Sequence, residues 1–212
     1  TEYAACSQGD CLSSNRKRIA YHHGDLKRAL SDAGIELLAE VGADFTLRQV
    51  AERVGVTHGA AYRHFQDREA LLAALARRGF VDLLRRLQRS MRTAPDARRR
   101  LEILLESYLR FAWQKRAQYE VMFGRRLNEA GTFPDLENAV QAALRCLQEA
   151  VAEYLGDDDP IRARDVGIGL WSFAHGFATN VLRRRIHVRS LRAAQAYIVL
   201  VAEPFLVGAR SR

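Results

Sequence analysis

Polar residues without periodicity fill the first twenty positions, and from there to the end of the chain the apolar positions fall at helical spacing. Leu26, Ala29, Leu30, Ala33, Leu37 and Leu38 mark one face of a helix from Asp25 to Val41, which Gly42 stops. Thr46-Leu-Arg-Gln49 has the form of a capping box, and Leu47, Val50, Ala51 and Val54 follow at i, i+3, i+4 and i+7 before Gly55. The second helix is thus barely two turns long. Thr57 is placed to cap a third short helix through Phe65, and Asp67 a fourth running through Leu71, Leu72 and Leu75 toward Leu87. Two short helices joined by a tight glycine-containing turn predict a helix-turn-helix.

Beyond Pro95 the pattern stays helical: Leu101, Leu104, Leu105, Tyr108 and Ala112, then Leu136, Val140, Ala143, Leu144, Leu147 and Val151. Gly156-Asp-Asp-Asp159-Pro160 breaks it, with Asp159 suited to an N-cap and Pro160 to the first helical position. An eighth helix follows from Ile161 to Arg185 and a last one from Ser190 to Val207. No strand alternation and no internal repeat interrupts this. The expected fold is all-α with about nine helices: an arm over residues 1–20, a helix-turn-helix unit over 21–78 and a larger helical domain over 79–212.

Composition sharpens the picture only in part. The 212 residues are 48% hydrophobic, enough for one large core with a small appended module. The net charge of +8 invites a nucleic-acid partner, but most of the excess lies beyond residue 78, and of the basic residues only Lys17, Lys27 and Lys115 are lysines. Charge is therefore supporting evidence alone. Cys6, Cys11 and Cys146 have neither the number of a disulfide framework nor the spacing of a zinc site. No apolar run approaches bilayer length and no signal-peptide core opens the chain, so a cytoplasmic protein without cofactor or metal is expected.

The candidate chemistry sits in VGVTHGAAYRHFQDREALL, from Val54 to Leu72. In the predicted third helix Ala61 and Phe65 are one turn apart and face the first two helices, leaving His58, Tyr62 and Arg63 outward. Gly59 and Ala60 are poor choices for a solvent face, yet their size admits close approach of a DNA backbone. The stretch from Thr46 to Leu72 resembles the DNA-binding domain of tetracycline-repressor (TetR) family regulators: a polar cap at Thr57, the Tyr62-x-His64-Phe65 core, and an acidic-basic-Glu step from Asp67 to Leu71.

By position, the resemblance implies that Arg48, Thr57, His58, Tyr62, Arg63 and His64 approach DNA, with Thr46 and Arg68 on phosphates. Arg63 suits bidentate binding of guanine O6 and N7, whereas Thr57, Tyr62 and His64 suit phosphate oxygens. His64 serves equally well in helix packing. His22 and His23 read as start-of-helix residues, and the Arg16-Lys17-Arg18 run as a solvated arm within reach of phosphate.

In Leu170-Trp-Ser-Phe-Ala-His-Gly-Phe177, Trp171 and His175 share one helical face while Phe173 and Phe177 occupy another. A helix apolar on two sides is buried on two sides. The Trp-x-x-x-His-Gly pattern, with Tyr119-Glu-Val-Met-Phe123 upstream, resembles a TetR subgroup in whose fold the last two long helices pair with their mates in a dimer. That pairing would cover the second apolar face. Arg116 stands where the subgroup often has a proline. The resemblance implies a pocket among the fifth to eighth helices lined by Tyr108, Phe111, Tyr119, Met122, Phe123, Trp171 and His175, although aromatics at this spacing are ordinarily core and a lone histidine beside a tryptophan ordinarily structural. Asp157, Asp158 and Asp159 are explained by helix-end chemistry, and Arg183, Arg184 and Arg185 by the C-terminal dipole.

These features imply a dimeric repressor that leaves an inverted-repeat operator when a small molecule binds. A helical enzyme or lipid-carrying bundle is the chief rival, but no Gly-rich phosphate loop, His-Glu-x-x-His motif or paired acid and base is present. A membrane-surface protein would need an exposed basic helix with an apolar opposite face.

Overall fold

The computed structural model describes residues 23–124, 131–156 and 159–211. Within them lie nine α-helices and no strand: α1 (His23–Val41), α2 (Leu47–Val54), α3 (His58–Tyr62), α4 (Arg68–Met91), α5 (Ala97–Gln114), α6 (Arg116–Gly124), α7 (Pro134–Leu155), α8 (Pro160–Leu182) and α9 (Leu191–Arg210). A 3-10 turn over Gly42–Asp44 follows α1. The expected arm, His22, Asp157 and Asp158 lie outside the described residues.

Local signals set most boundaries. Thr46 and Gln49 form the capping box reciprocally, and Gly55 ends α2 in the left-handed conformation at φ 77°, which costs a residue with a Cβ free energy. Asp67, Asp96, Asp159 and Ser190 each accept a backbone N–H in the first turn of the helix they precede. Thr57 departs from expectation. It holds the N-cap position of α3, but its side chain makes no capping bond. The helix also stops at Tyr62, because the N–H groups of His64 and Phe65 both return to the Ala61 carbonyl at 3.0 Å and close the turn early.

One apolar core joins residues of all nine described helices. Phe45, Leu47, Val50, Ala61 and Phe65 knit α1, α2 and α3 to the start of α4. α4 then runs unbroken past residue 78 into the larger helical body, where it packs on α5, α6 and α7. The break between α5 and α6 forms without a proline: Lys115 leaves helical geometry at φ −122°, ψ 44°, its N–H bonding the Phe111 carbonyl, and its own carbonyl accepts from Tyr119 N–H to start α6. α6 wedges against α1 and α4. There Gly79 lets it approach closely, since a Cβ at that position would sit 2.4 Å from Met122 Sδ.

Two expectations about the last helices are corrected. The Phe177 face of α8 is covered within the protomer, where Phe177 is buried and its ring lies 5.9 Å from that of Tyr197 on α9. The exposed large apolar residues of these helices are instead Ile161 and Ile168 on α8, with Tyr197, Leu200, Phe205 and Val207 on α9. Second, α9 is long and apolar enough to cross a membrane, contrary to the reading that no segment approaches that length. Its composition comes from two apolar stripes on one helix. Ala194, Ile198, Ala202 and Leu206 are buried against the body, the other stripe is exposed, and Glu203 pairs with Arg98 of α5.

Some arginines of this body are matched by carboxylates. Arg98, Arg99 and Arg100 at the start of α5 pair with Glu102, Glu106, Glu153 and Glu203.

Candidate nucleic-acid interface and effector cavity

The outward face of α3 carries His58, Tyr62 and Arg63, all exposed, with the His58 and Tyr62 rings edge to face at 4.6 Å. Its inward face is Ala61, with Phe65 beyond it, both in the core. Ala60 belongs with them: at 9% exposure it packs inward, correcting the outward placement drawn from its size. Gly59 alone remains a small exposed residue, and a Cβ there would meet nothing within 4 Å. Thr57 is exposed at the mouth of the turn, and His64 is half-buried near Lys27 and Phe65. The arrangement presents an imidazole, a phenol and a guanidinium from one short rigid helix, which is the donor set that reads base edges and grips phosphates.

The remaining positions are tied up within the protein. Thr46 is exposed, but its hydroxyl accepts from Gln49 N–H at 3.2 Å and donates to Gln49 Oε1 at 3.0 Å. Arg48 points outward and pairs with Glu52 at 2.9 Å, a solvent-exposed pair worth little. Arg68 turns inward. Its Nε donates to the Phe45 carbonyl at 2.9 Å and a terminal nitrogen to the Ala43 carbonyl, with the side chain only 27% exposed. Its donors fasten the α1–α2 connection to α4, a tertiary commitment that the sequence near Arg68 does not signal.

The larger body holds a cavity of about 420 Å³, within the size range of small-molecule sites. Of the expected lining, Tyr108, Met122, Phe123 and Trp171 face it. Phe111 does not: it is fully buried in the core beneath the Arg86 guanidinium. Tyr119 and His175 stand behind the wall. The missed walls are mostly aliphatic, Leu83 and Leu87 of α4 with Val140, Leu144 and Leu147 of α7, and include the aromatic Phe80. Glu137, at the α7 end, accepts from the Gln141 amide at 2.8 Å and is the sole carboxylate on the lining among the described residues. The α7 periodicity was visible in the sequence, but core and cavity wall have the same spacing.

Behind the aromatic wall is a polar cluster. The Tyr119 hydroxyl lies 2.8 Å and the Tyr108 hydroxyl 3.2 Å from Nδ1 of His175, and Thr179 Oγ1 is 3.4 Å from the Tyr119 oxygen. Burial holds His175 below its ordinary pKa, which favours the neutral ring, and its Nδ1 faces both phenol hydroxyls. Burial, and then the neighbouring Tyr119, push the Tyr108 hydroxyl well above the usual phenol value. Both phenols therefore stay protonated as donors. Stacking of Tyr119 on His175 and the contact of His175 with Phe123 complete a structural network, with no nucleophile activated in it. Among the described residues no group of His, Cys, Asp and Glu is arranged to hold a metal.

Two family models match the chain. One, described as bacterial regulatory proteins, tetR family, covers residues 30–75. The other, described as the tetracyclin repressor-like C-terminal domain, covers residues 101–202. The HTH-type transcriptional activator FasR of Mycolicibacterium smegmatis is 27% identical over 125 residues, 58% of this chain and 56% of that protein. The tetracycline repressor protein class A from transposon 1721 of Escherichia coli is 53% identical over 45 residues, 21% of each chain. The matched regions thus span about half of the first protein and a fifth of the second. Among solved structures, a protein of unknown function from Rhodococcus sp. RHA1 is 30% identical with a TM-score of 0.76, over 90% of this chain and 98% of that one. The regulator FadR from Bacillus subtilis, solved in complex with stearoyl-CoA, shares the fold at a TM-score of 0.67 and 15% identity, over 85% and 98% of the two chains.

Proposed function

Because the chain belongs to the TetR family of bacterial regulatory proteins, we propose that it is a DNA-binding transcriptional regulator of the cytoplasm and no enzyme, acting as a homodimeric repressor whose grip on an inverted-repeat operator is released by an apolar small molecule. It falls in the subgroup marked by Trp171-x-x-x-His175-Gly176. Residues 21–78 are its DNA-reading unit and 79–212 its effector and dimerisation domain.

The observation that carries this reading is α3. One side is sealed into the core by Ala60 and Ala61, and the other offers His58, Tyr62 and Arg63. Arg63 reads guanine, while Thr57, Tyr62 and His64 hold phosphates, and Arg48 reaches DNA by leaving its exposed pair with Glu52. Thr46 and Arg68 act indirectly, by fixing α2 and the turn before it. The exposed apolar stripe of Tyr197, Leu200 and Val207, with Ile161 and Ile168 beside it, supports dimerisation through α8 and α9. Release then requires a ligand that prefers the DNA-incompetent conformation, by ~10⁴-fold for a full swing between 1:99 and 99:1. Activation by the same architecture, as FasR's name records for that protein, is the second reading.

Fluorescence anisotropy tests the reading, with DNA flanking this protein's own gene against a scrambled duplex at two salt concentrations. Tight preference of the wild type for one duplex, lost in Arg63→Ala, supports sequence-specific regulation. Equal and steeply salt-sensitive binding to that duplex, its scramble and a selected pool of random duplexes contradicts it.

A further inference from the structure

Beside the effector cavity, and separated from it by the buried Leu136 that lines both, lies a groove of about 980 Å³ walled by α1, α4 and the start of α7. Its character is the opposite of the cavity's. Lys27, Arg28, Arg77, Arg78 and Arg85 line it against the carboxylates of Asp82 and Asp135. Two of its pairs are loose, Arg77 standing 3.9 Å from Asp135 and Arg85 4.0 Å from Asp82, whereas Arg78 is held closely by Asp32 at 2.5 Å. The Lys27 ammonium lies 5.8 Å over the Phe65 ring rather than on a carboxylate. Such partners are readily displaced by a stronger anion.

Among the described residues the cavity offers an anionic group no cation at its α7 end, where Leu136 and Val140 are apolar and Glu137 is a carboxylate. A ligand with a polar end needs hydrogen-bonding partners for it, or it carries the full cost of desolvation. Across Leu136, which lines both spaces, lies the groove with its arginines. Resting on the reading of the cavity as an apolar effector site, the geometry points to the groove as a headgroup site: the effector is an anionic amphiphile whose apolar chain fills the cavity and whose carboxylate or phosphate end passes Leu136 to Arg77 and Arg85. The same groove touches Lys27, Arg28 and His64 of the DNA-reading unit and Asp135 of the larger body. The headgroup therefore binds across the junction between the two functions, where the apolar chain alone does not reach.

The test is isothermal titration of the full chain with dodecanol, dodecanoate and dodecyl phosphate, below their micellar concentrations, in wild type, Arg77→Gln/Arg85→Gln and Leu136→Ala. At least one anionic probe is expected to bind wild type about tenfold or more tighter than dodecanol, as charge-assisted bonds from two arginines imply. The double variant loses that preference and keeps its affinity for dodecanol, and high salt erodes the preference in the wild type. Whether dodecanoate or dodecyl phosphate gains more separates a carboxylate from a phosphate head. Dodecanol binding without anionic preference, or a preference that survives the double substitution, overturns the headgroup site and leaves the apolar cavity standing. Absence of binding by all three probes, in wild type and in the enlarged Leu136→Ala cavity, overturns the effector reading and the headgroup site together.

Discussion

The Tyr119 hydroxyl and Nδ1 of His175 are hydrogen-bonded across 2.8 Å, joining α6 to α8 directly behind the apolar cavity. Any ligand that presses on Phe123 or Trp171 therefore presses on a wall braced by a buried hydrogen bond. The nearest alternative donor, Tyr108, stands farther off at 3.2 Å.

Tyr119→Phe removes that brace and leaves a buried imidazole nitrogen less well satisfied. A loss of about 1–2 kcal/mol in urea unfolding is expected. An unchanged midpoint and slope would show that Tyr108 takes over the bond at no cost.

Because burial lowers the pKa of His175 below its reference value of 6.5, the unfolded chain takes up the proton first. Its contribution to stability is complete above pH 6.5 and is lost as pH falls through the lower folded value. Unfolding measured from pH 7.5 to 5 should show this decline in the wild type and a shallower one in His175→Gln. Parallel curves would place the titration elsewhere.

Arg63→Ala should cost roughly 1–3 kcal/mol in affinity for a selected operator and relax discrimination at one base pair. Binding to scrambled DNA should change far less. Competition anisotropy at fixed salt reads both quantities.

Gly79→Ala places a methyl 2.4 Å from Met122 Sδ and 3.1 Å from Gln118 Cγ. Met122 is flexible but closely packed, and it lines the cavity, so it must yield into that space. The expected cost is about 1–3 kcal/mol, with weakened binding of any cavity ligand. Thermal unfolding and ligand titration check the two effects separately.

Leu200 is 66% exposed on the outer stripe of α9, so Leu200→Arg should leave the protomer folded while dispersing the dimer. Sedimentation equilibrium should then give half the wild-type mass with unchanged helix content. A dimer that persists would move the interface away from α9.

Short-range chemistry was legible in the sequence because it is written within one turn. Thr46 with Gln49, Gly55, Asp67 and Asp159 each announced a helix end that the fold keeps. The facing of His58, Tyr62 and Arg63 followed from the same local periodicity. What stayed hidden depends on partners distant along the chain. Arg68 has its donors drawn inward by the carbonyls of Ala43 and Phe45, more than twenty positions earlier. Phe80, Leu83 and Leu87 carry the spacing of any buried helix face, and only the course of α7 opposite them decides that they border a space. Aromatic residues drew the first attention to the cavity, yet Phe111 went to the core and aliphatic side chains form much of the wall.

α4 links its two neighbours mechanically. It is one uninterrupted rod of 24 residues, clamped at its first residue, Arg68, to the turn before α2, and bordering the cavity from Phe80 to Leu87. At a rise of ~1.5 Å per residue the rod is roughly 36 Å long, so a tilt of only about 5° about its far end swings the clamped end by roughly 3 Å. That is the scale of a hydrogen bond to a base edge, and it is enough to put the two copies of α3 in a dimer out of step with the pitch of a duplex.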